Sequence, residues 1–192
     1  MHYSEIVSEQ FTEHLNTIRD LADRSSGIIV RAALEAANTL ASGGTIFFCG
    51  NGGSAADSQH FAAELVGRFN VDRKPLRSMA LTTDSSVLTC IANDYQYEDI
   101  FSRQISGLAS PGDTLVAIST SGNSRNIVSA LMACKTLELK TIALLGKDGG
   151  QAKHLADFSI VVPSNSTARI QEAHALVGHI ICDLIERELG YV

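Results

Sequence analysis

Five short apolar runs, each separated from the next by a stretch long enough for a helix, constrain the fold of this chain most. They lie at 45–49 (TIFFC), 78–82 (SMALT), 113–118 (DTLVAI), 140–145 (KTIALL) and 158–162 (FSIVV). A strand with one wet face alternates apolar and polar residues, and these runs do not alternate. They read as strands buried on both faces, the situation of a parallel sheet covered by helices. Helical stretches lie between them, near 54–69, 85–109, 124–137 and 150–156, and a last long helix covers about 167–189. The pattern predicts an α/β fold with a five-stranded parallel sheet, doubly wound in the flavodoxin-like manner. Ligands of such sheets collect at the carboxyl ends of the strands, beside the topological switch point. Two further helices are expected before the first strand. One spans 3–24, with Ile6, Phe11, Leu15, Ile18 and Leu21 at helical spacing; the other spans 27–42 and stops at Gly43-Gly44. They would form an arm (1–42) beside an α/β sandwich (43–192), available for an oligomer interface.

A length of 192 residues suits one domain. The net charge of −6 lacks the basic footprint of a nucleic-acid binder. No apolar run has the length of a membrane span, and the first residues lack the layout of a signal peptide. Cys49, Cys90, Cys134 and Cys182 are widely spaced and form no CxxC, as expected of free thiols in a reducing cytoplasm.

The loops after the strands carry the chemistry. The first is Gly50-Asn51-Gly52-Gly53-Ser54, a glycine turn leading into a helix. Glycines let the backbone approach a ligand, and the amides of a helix N-terminus suit an anion. Ser54 with Asp57 fits a capping box. No GK[ST] follows, so a nucleoside triphosphate is not indicated. The loop after the third strand, Ser119-Thr120-Ser121-Gly122-Asn123-Ser124, sets hydroxyls around a glycine before another helix, an arrangement suited to a phosphate monoester. Asn93 and Asp94, near the end of the helix after the second strand, are read either as contacts to sugar hydroxyls or as a helix end and turn.

On the helix after the glycine turn, Asp57, His60 and Glu64 share a stripe by i,i+3 and i,i+4 spacing. The last helix is strongly apolar and carries Gln171 and His179 eight residues apart on roughly one side. His60, Glu64 and His179 form a donor set that zinc accepts; a glutamine oxygen is a rarer ligand. By the residues alone His179 reads first as a hydrogen-bonded core histidine.

The segments CGNGGSAADSQHFAAEL, IANDY, ISTSGNS, LLGKDGG and ARIQEAH, in this order, resemble the sugar isomerase (SIS) domain family, and within it the phosphoheptose isomerases. The similarity spans nearly the whole chain, opening helices included. It implies a single SIS domain over 1–192, assembled as a homotetramer. It implies an aldose–ketose isomerase converting D-sedoheptulose 7-phosphate to D-glycero-D-manno-heptose 7-phosphate, the entry to the ADP-heptose of lipopolysaccharide. By matching motif positions, His60, Glu64, Gln171 and His179 correspond to a zinc site. Asn51, Gly52, Gly53, Ser54, Asn93, Asp94, Ser119, Thr120, Ser121 and Ser124 correspond to substrate contacts, together with Glu64 and Gln171. Glu64 and His179 correspond to the acid–base pair of an enediol mechanism. Ala168 stands where some members carry an acidic residue, so no contact from that side chain is available.

Two other readings compete. DnaA initiator-associating proteins share the fold and a similar last helix but act as adaptors; they typically lack the glutamate and second histidine and alter the turn, all intact here. Sugar-phosphate-sensing regulators attach the domain to a helix-turn-helix module, for which this chain has no room.

Overall fold

The computed structural model describes residues 2–192. The elements are α1 (Tyr3–Ala41), β1 (Ile46–Gly50), α2 (Gly53–Val66), β2 (Ser78–Ala80), α3 (Ser85–Asp94), α4 (Ser102–Leu108), β3 (Thr114–Ser119), α5 (Arg125–Thr136), β4 (Lys140–Gly146), β5 (Phe158–Val162) and α6 (Thr167–Glu188). Two 3₁₀ turns, Tyr97–Asp99 and Gln151–His154, complete the list. The five strands pair in parallel in the order β2-β1-β3-β4-β5. Winding reverses between β1 and β3, so the crevice beyond Gly50 and Ser119 is the switch point at which such sheets hold ligands.

The strands are apolar throughout because successive side chains enter two different cores. Ile46, Phe48, Val116, Ile118, Ile142 and Leu144 face one layer, with Phe61 and Leu65 of α2, Ala32, Ala33, Ala36 and Ala37 of α1, and Ile170, Val177 and Ile181 of α6. Phe47, Cys49, Leu115, Ala117, Ala143 and Leu145 face the other, with Ile91 of α3, Ile105 of α4, and Ile127, Ala130 and Leu131 of α5.

The structure departs from the expectations in three places. The two opening helices are one 39-residue helix. Ser25-Ser26-Gly27 does not break it: Gly27 costs only about 1 kcal/mol in a helix interior, and Ser25 is buried. Burial of Leu21 and Ile29 on either side outweighs that cost. The helix expected over 85–109 is two, because the chain leaves helical geometry at Tyr95 (φ −124°, ψ −103°) and then buries Ile100 and Phe101. The stretch 150–156 forms only a 3₁₀ turn.

Candidate active site

The glycine turn and the hydroxyl loop flank the switch point. Gly52, not Ser54, precedes α2; its φ of +56° and ψ of −120° are closed to residues with a Cβ. The expected capping box is absent because the helix starts too early for it: Ser54 lies inside the first turn and is buried. No side chain caps the helix, and with Ser54 N and Ala55 N donating to Asn51 O and Gly52 O at 3.0 Å, the Gly53 amide is the one of the first turn left for a ligand. At α5 too, Ser124 precedes the helix without capping it. Its Oγ lies 3.2 Å from Ser119 Oγ. Gly122 N donates to Ser119 Oγ at 3.1 Å and Asn123 N to Ser121 Oγ at 3.1 Å. Two helix N-termini thus aim positive field at one crevice with no lysine or arginine required.

The hydroxyl loop is braced from the next loop over. Ala152 N donates to Gly122 O at 2.9 Å, and Gln151 N to Asn123 Oδ1 at 3.1 Å. The segment after β4 therefore supports the hydroxyl loop.

Asn51 is bound to Asn126 by a reciprocal pair of amide hydrogen bonds, 2.9 and 2.8 Å long. The pair ties the turn after β1 to the start of α5. Asn93 and Asp94 occupy the exposed end of α3. Asn93 Nδ2 donates to Asp94 Oδ1 at 2.8 Å and Cys90 Sγ to Asp94 Oδ2 at 3.4 Å. These bonds, Asn93 first, hold the Asp94 carboxyl below its ordinary range.

α2 and α6 run side by side in the same direction, with Gln171 against Gly53 and Gly178 against Phe61. About 10 Å of helix rise below Gly53, this seam brings His60, Glu64 and His179 together. One donor atom from each lies within 4.8 Å of the other two. His60 Nε2 is 2.7 Å from His179 Nε2 and 3.4 Å from Glu64 Oε1. Phe61 meets both imidazoles edge-on, and Phe69 stacks on His179 with ring centroids 5.5 Å apart. Phe69 is held by a fully buried ion pair: Arg73 Nε donates to Glu186 Oε1 at 3.0 Å, and Phe69 N and Asn70 N donate to the same carboxylate. The Arg73 guanidinium also donates to the carbonyls of Leu65 and Glu64, closing the end of α2.

Gln171 lies farther up the same seam. Eight residues of α6, about 12 Å of rise, separate it from His179, and its carboxamide lies over Gly53 at the glycine turn. His174 faces away from the seam. Its ring is buried, Nε2 donates to Leu145 O at 2.9 Å, and burial pushes its pKa down to about 4.

The family model described as SIS domain matches residues 10–146. A phosphoheptose isomerase from Akkermansia muciniphila is 50% identical over 97% of this chain and 98% of its own. A solved phosphoheptose isomerase from Neisseria gonorrhoeae superposes with a TM-score of 0.92 at 42% identity, covering 97% of this chain and all of that one. One from Francisella tularensis gives 0.94 at 35% identity, over 97% of this chain and all of that one. The chain belongs to the phosphoheptose isomerases of the SIS domain family.

Asp57, Phe69 and Tyr97 lie against the residues named so far. Asp57 lies on the His60–Glu64 stripe, and burial raises its carboxyl above the ordinary range despite the opposing pull of His60 and His179. The signal was present in its i,i+3 spacing from His60. Phe69 and Tyr97 carried no such signal, because loop residues have no periodicity to place them.

Proposed function

We infer that this chain is an aldose–ketose isomerase acting on D-sedoheptulose 7-phosphate. One observation carries the reading: an imidazole–carboxylate–imidazole cluster lies on the same helix seam as an uncapped helix N-terminus, about 10 Å of rise away. An extended chain advances roughly 1.2 Å per bond. The seven bonds from phosphorus to C2 and the eighth to C1 therefore span about 8 to 10 Å by the same rate. With the phosphate at the turn and hydroxyl loop, C1 and C2 reach the cluster. Gln171 and Asp57 lie along the path, where the sugar hydroxyls would pass.

The chemistry moves a carbonyl from C2 to C1. Glu64 takes a proton from C1, the electron pair closes a C1–C2 double bond, and His179 gives a proton to the C2 oxygen. Glu64 then returns its proton to C2 while the imidazole takes the proton from the C1 oxygen. Atoms and charge balance, and both groups end as they began. His60, Glu64 and His179 are a donor set of the kind that holds zinc with an open position, and zinc bound there would polarise the C2 carbonyl. A Glu64 that ligates is a weaker base, so the two roles compete.

The DnaA initiator-associating adaptor reading finds no support in the relatives above. We further propose assembly as a homotetramer. Ile6, Val7, Phe11 and Leu15 are exposed on α1, and the first three border a groove of about 440 Å³ with Gln10, His14, Arg169 and Glu172. The four cysteines are unpaired, in keeping with a reducing cytoplasm, and no described helix is long and apolar enough to cross a membrane. The product would supply heptose for lipopolysaccharide. Incubation with sedoheptulose 7-phosphate, with chelator or with added zinc, tests the reading. Appearance of the aldose phosphate supports it; none under either condition removes it.

A further inference from the structure

Tyr97 stands in the 3₁₀ turn between α3 and α4, a segment with no role so far. Its side chain is 60% exposed, so little of its energy comes from burying the ring. Its hydroxyl is engaged instead, donating to Asn51 Oδ1 at 2.9 Å. Asn126 Nδ2 donates to the same oxygen at 2.8 Å, and Asn51 Nδ2 returns a bond to Asn126 Oδ1 at 2.9 Å. A carboxamide oxygen has two lone pairs and its nitrogen two N–H groups. Both lone pairs of Asn51 and one of its N–H groups are therefore taken. One N–H is all that this side chain has left for a substrate. Next to Tyr97, Glu98 accepts a bond from Arg125 Nη1 at 2.7 Å, which ties the same turn to the first residue of α5. The turn after β1, the start of α5 and the 97–99 turn are joined across the switch point.

We propose that Tyr97 is a positioning residue for the isomerisation, acting through Asn51. With Asn126 it fixes the carboxamide so that Asn51 meets substrate as a hydrogen-bond donor and not as an acceptor. The turn then selects a phosphate or carbonyl oxygen over a hydroxyl hydrogen. The proposal rests on the isomerase reading above.

The test is a double-mutant cycle on sedoheptulose 7-phosphate turnover by the full chain. Tyr97→Phe removes one hydrogen bond, so kcat/KM falls roughly threefold to tenfold. The loss falls on KM, because the turn grips the same oxygens before and during proton transfer. Asn51→Ala loses more, and adding Tyr97→Phe to it changes nothing further. The melting temperature of Tyr97→Phe stays within about 3 °C of the parent. Parental kinetics in Tyr97→Phe, a loss confined to kcat, an undiminished effect on top of Asn51→Ala, or a larger drop in melting temperature each overturns the proposal while leaving the isomerase intact. No turnover by the parent chain removes both.

Discussion

Replacing Gly178 by alanine sets two effects of known size against each other. Gly178 is in the interior of α6, where alanine is favoured by about 1 kcal/mol on helix propensity alone. A Cβ at that position, however, falls on three carbons of the Phe61 ring, all inside 3 Å, whereas ordinary contacts begin near 3.4 Å. Phe61 is 1% exposed and is bounded by Phe48, His60 and His179, with ring centroids 5.6 to 6.1 Å away. The ring has nowhere to retreat without moving the imidazoles. Overpacking of this kind costs about 1–3 kcal/mol, and this site lies at the upper end. The net loss is about 1–2 kcal/mol, or roughly 2–8 °C in melting temperature for a chain of this size. Isomerase activity falls as well, because the displaced ring disturbs His60 and His179. Gly27→Ala is the matched control. Gly27 is in the interior of α1, a Cβ there meets nothing within 4 Å, and only the propensity gain remains. Thermal melts followed by circular dichroism separate the two. A Gly178→Ala chain that melts as high as Gly27→Ala refutes the packing argument. A Gly27→Ala chain that melts lower refutes the continuous helix.

Two more outcomes follow from named contacts. In the folded chain the buried His174 stays neutral down to about pH 4, whereas its ordinary pKa is 6.5. Between those values the unfolded chain holds the extra proton, so stability falls as pH drops, by about 1.4 kcal/mol per unit. Urea unfolding at pH 7 and pH 5 should show a loss of about 2 kcal/mol that His174→Gln lacks; equal losses in both chains would clear His174 of the effect. Ser121→Ala should raise KM severalfold with kcat little changed, because a phosphate contact is made in ground and transition states alike. Steady-state kinetics with an unchanged KM would remove Ser121 from the phosphate site.

The strands were legible because the two cores require apolar residues on both faces, which leaves continuous runs such as Thr45–Cys49 that no amphipathic helix would show. Their observed ends agree within a residue, except for the shorter β2. The Ser25-Ser26-Gly27 stretch was misread because local propensity suggested a break, while the burial that overrides it is a tertiary effect. The His60–Glu64 pair was legible from one helical turn of spacing. His179 was joined to it by donor chemistry and then by resemblance, not by spacing, since nothing in a helix pattern states which neighbour the helix will meet. The same limit hid the Phe69 stack and the Tyr97–Asn51 bond, each of which links a loop to a residue 46 or more positions away. Gln171 was placed on the side of His179 by helical spacing and with the zinc set by resemblance; that its carboxamide lies over Gly53 depends on which helix α6 packs against, which spacing does not state.

The central claim is that Glu64 and His179, brought together across the α2–α6 seam, move the proton between C1 and C2. Turnover of sedoheptulose 7-phosphate by Glu64→Gln, measured beside substrate binding by the same chain, tests it most directly. The account predicts that binding is retained while turnover falls by a factor of about 10² to 10⁴ or more. Turnover at the parent rate would contradict it.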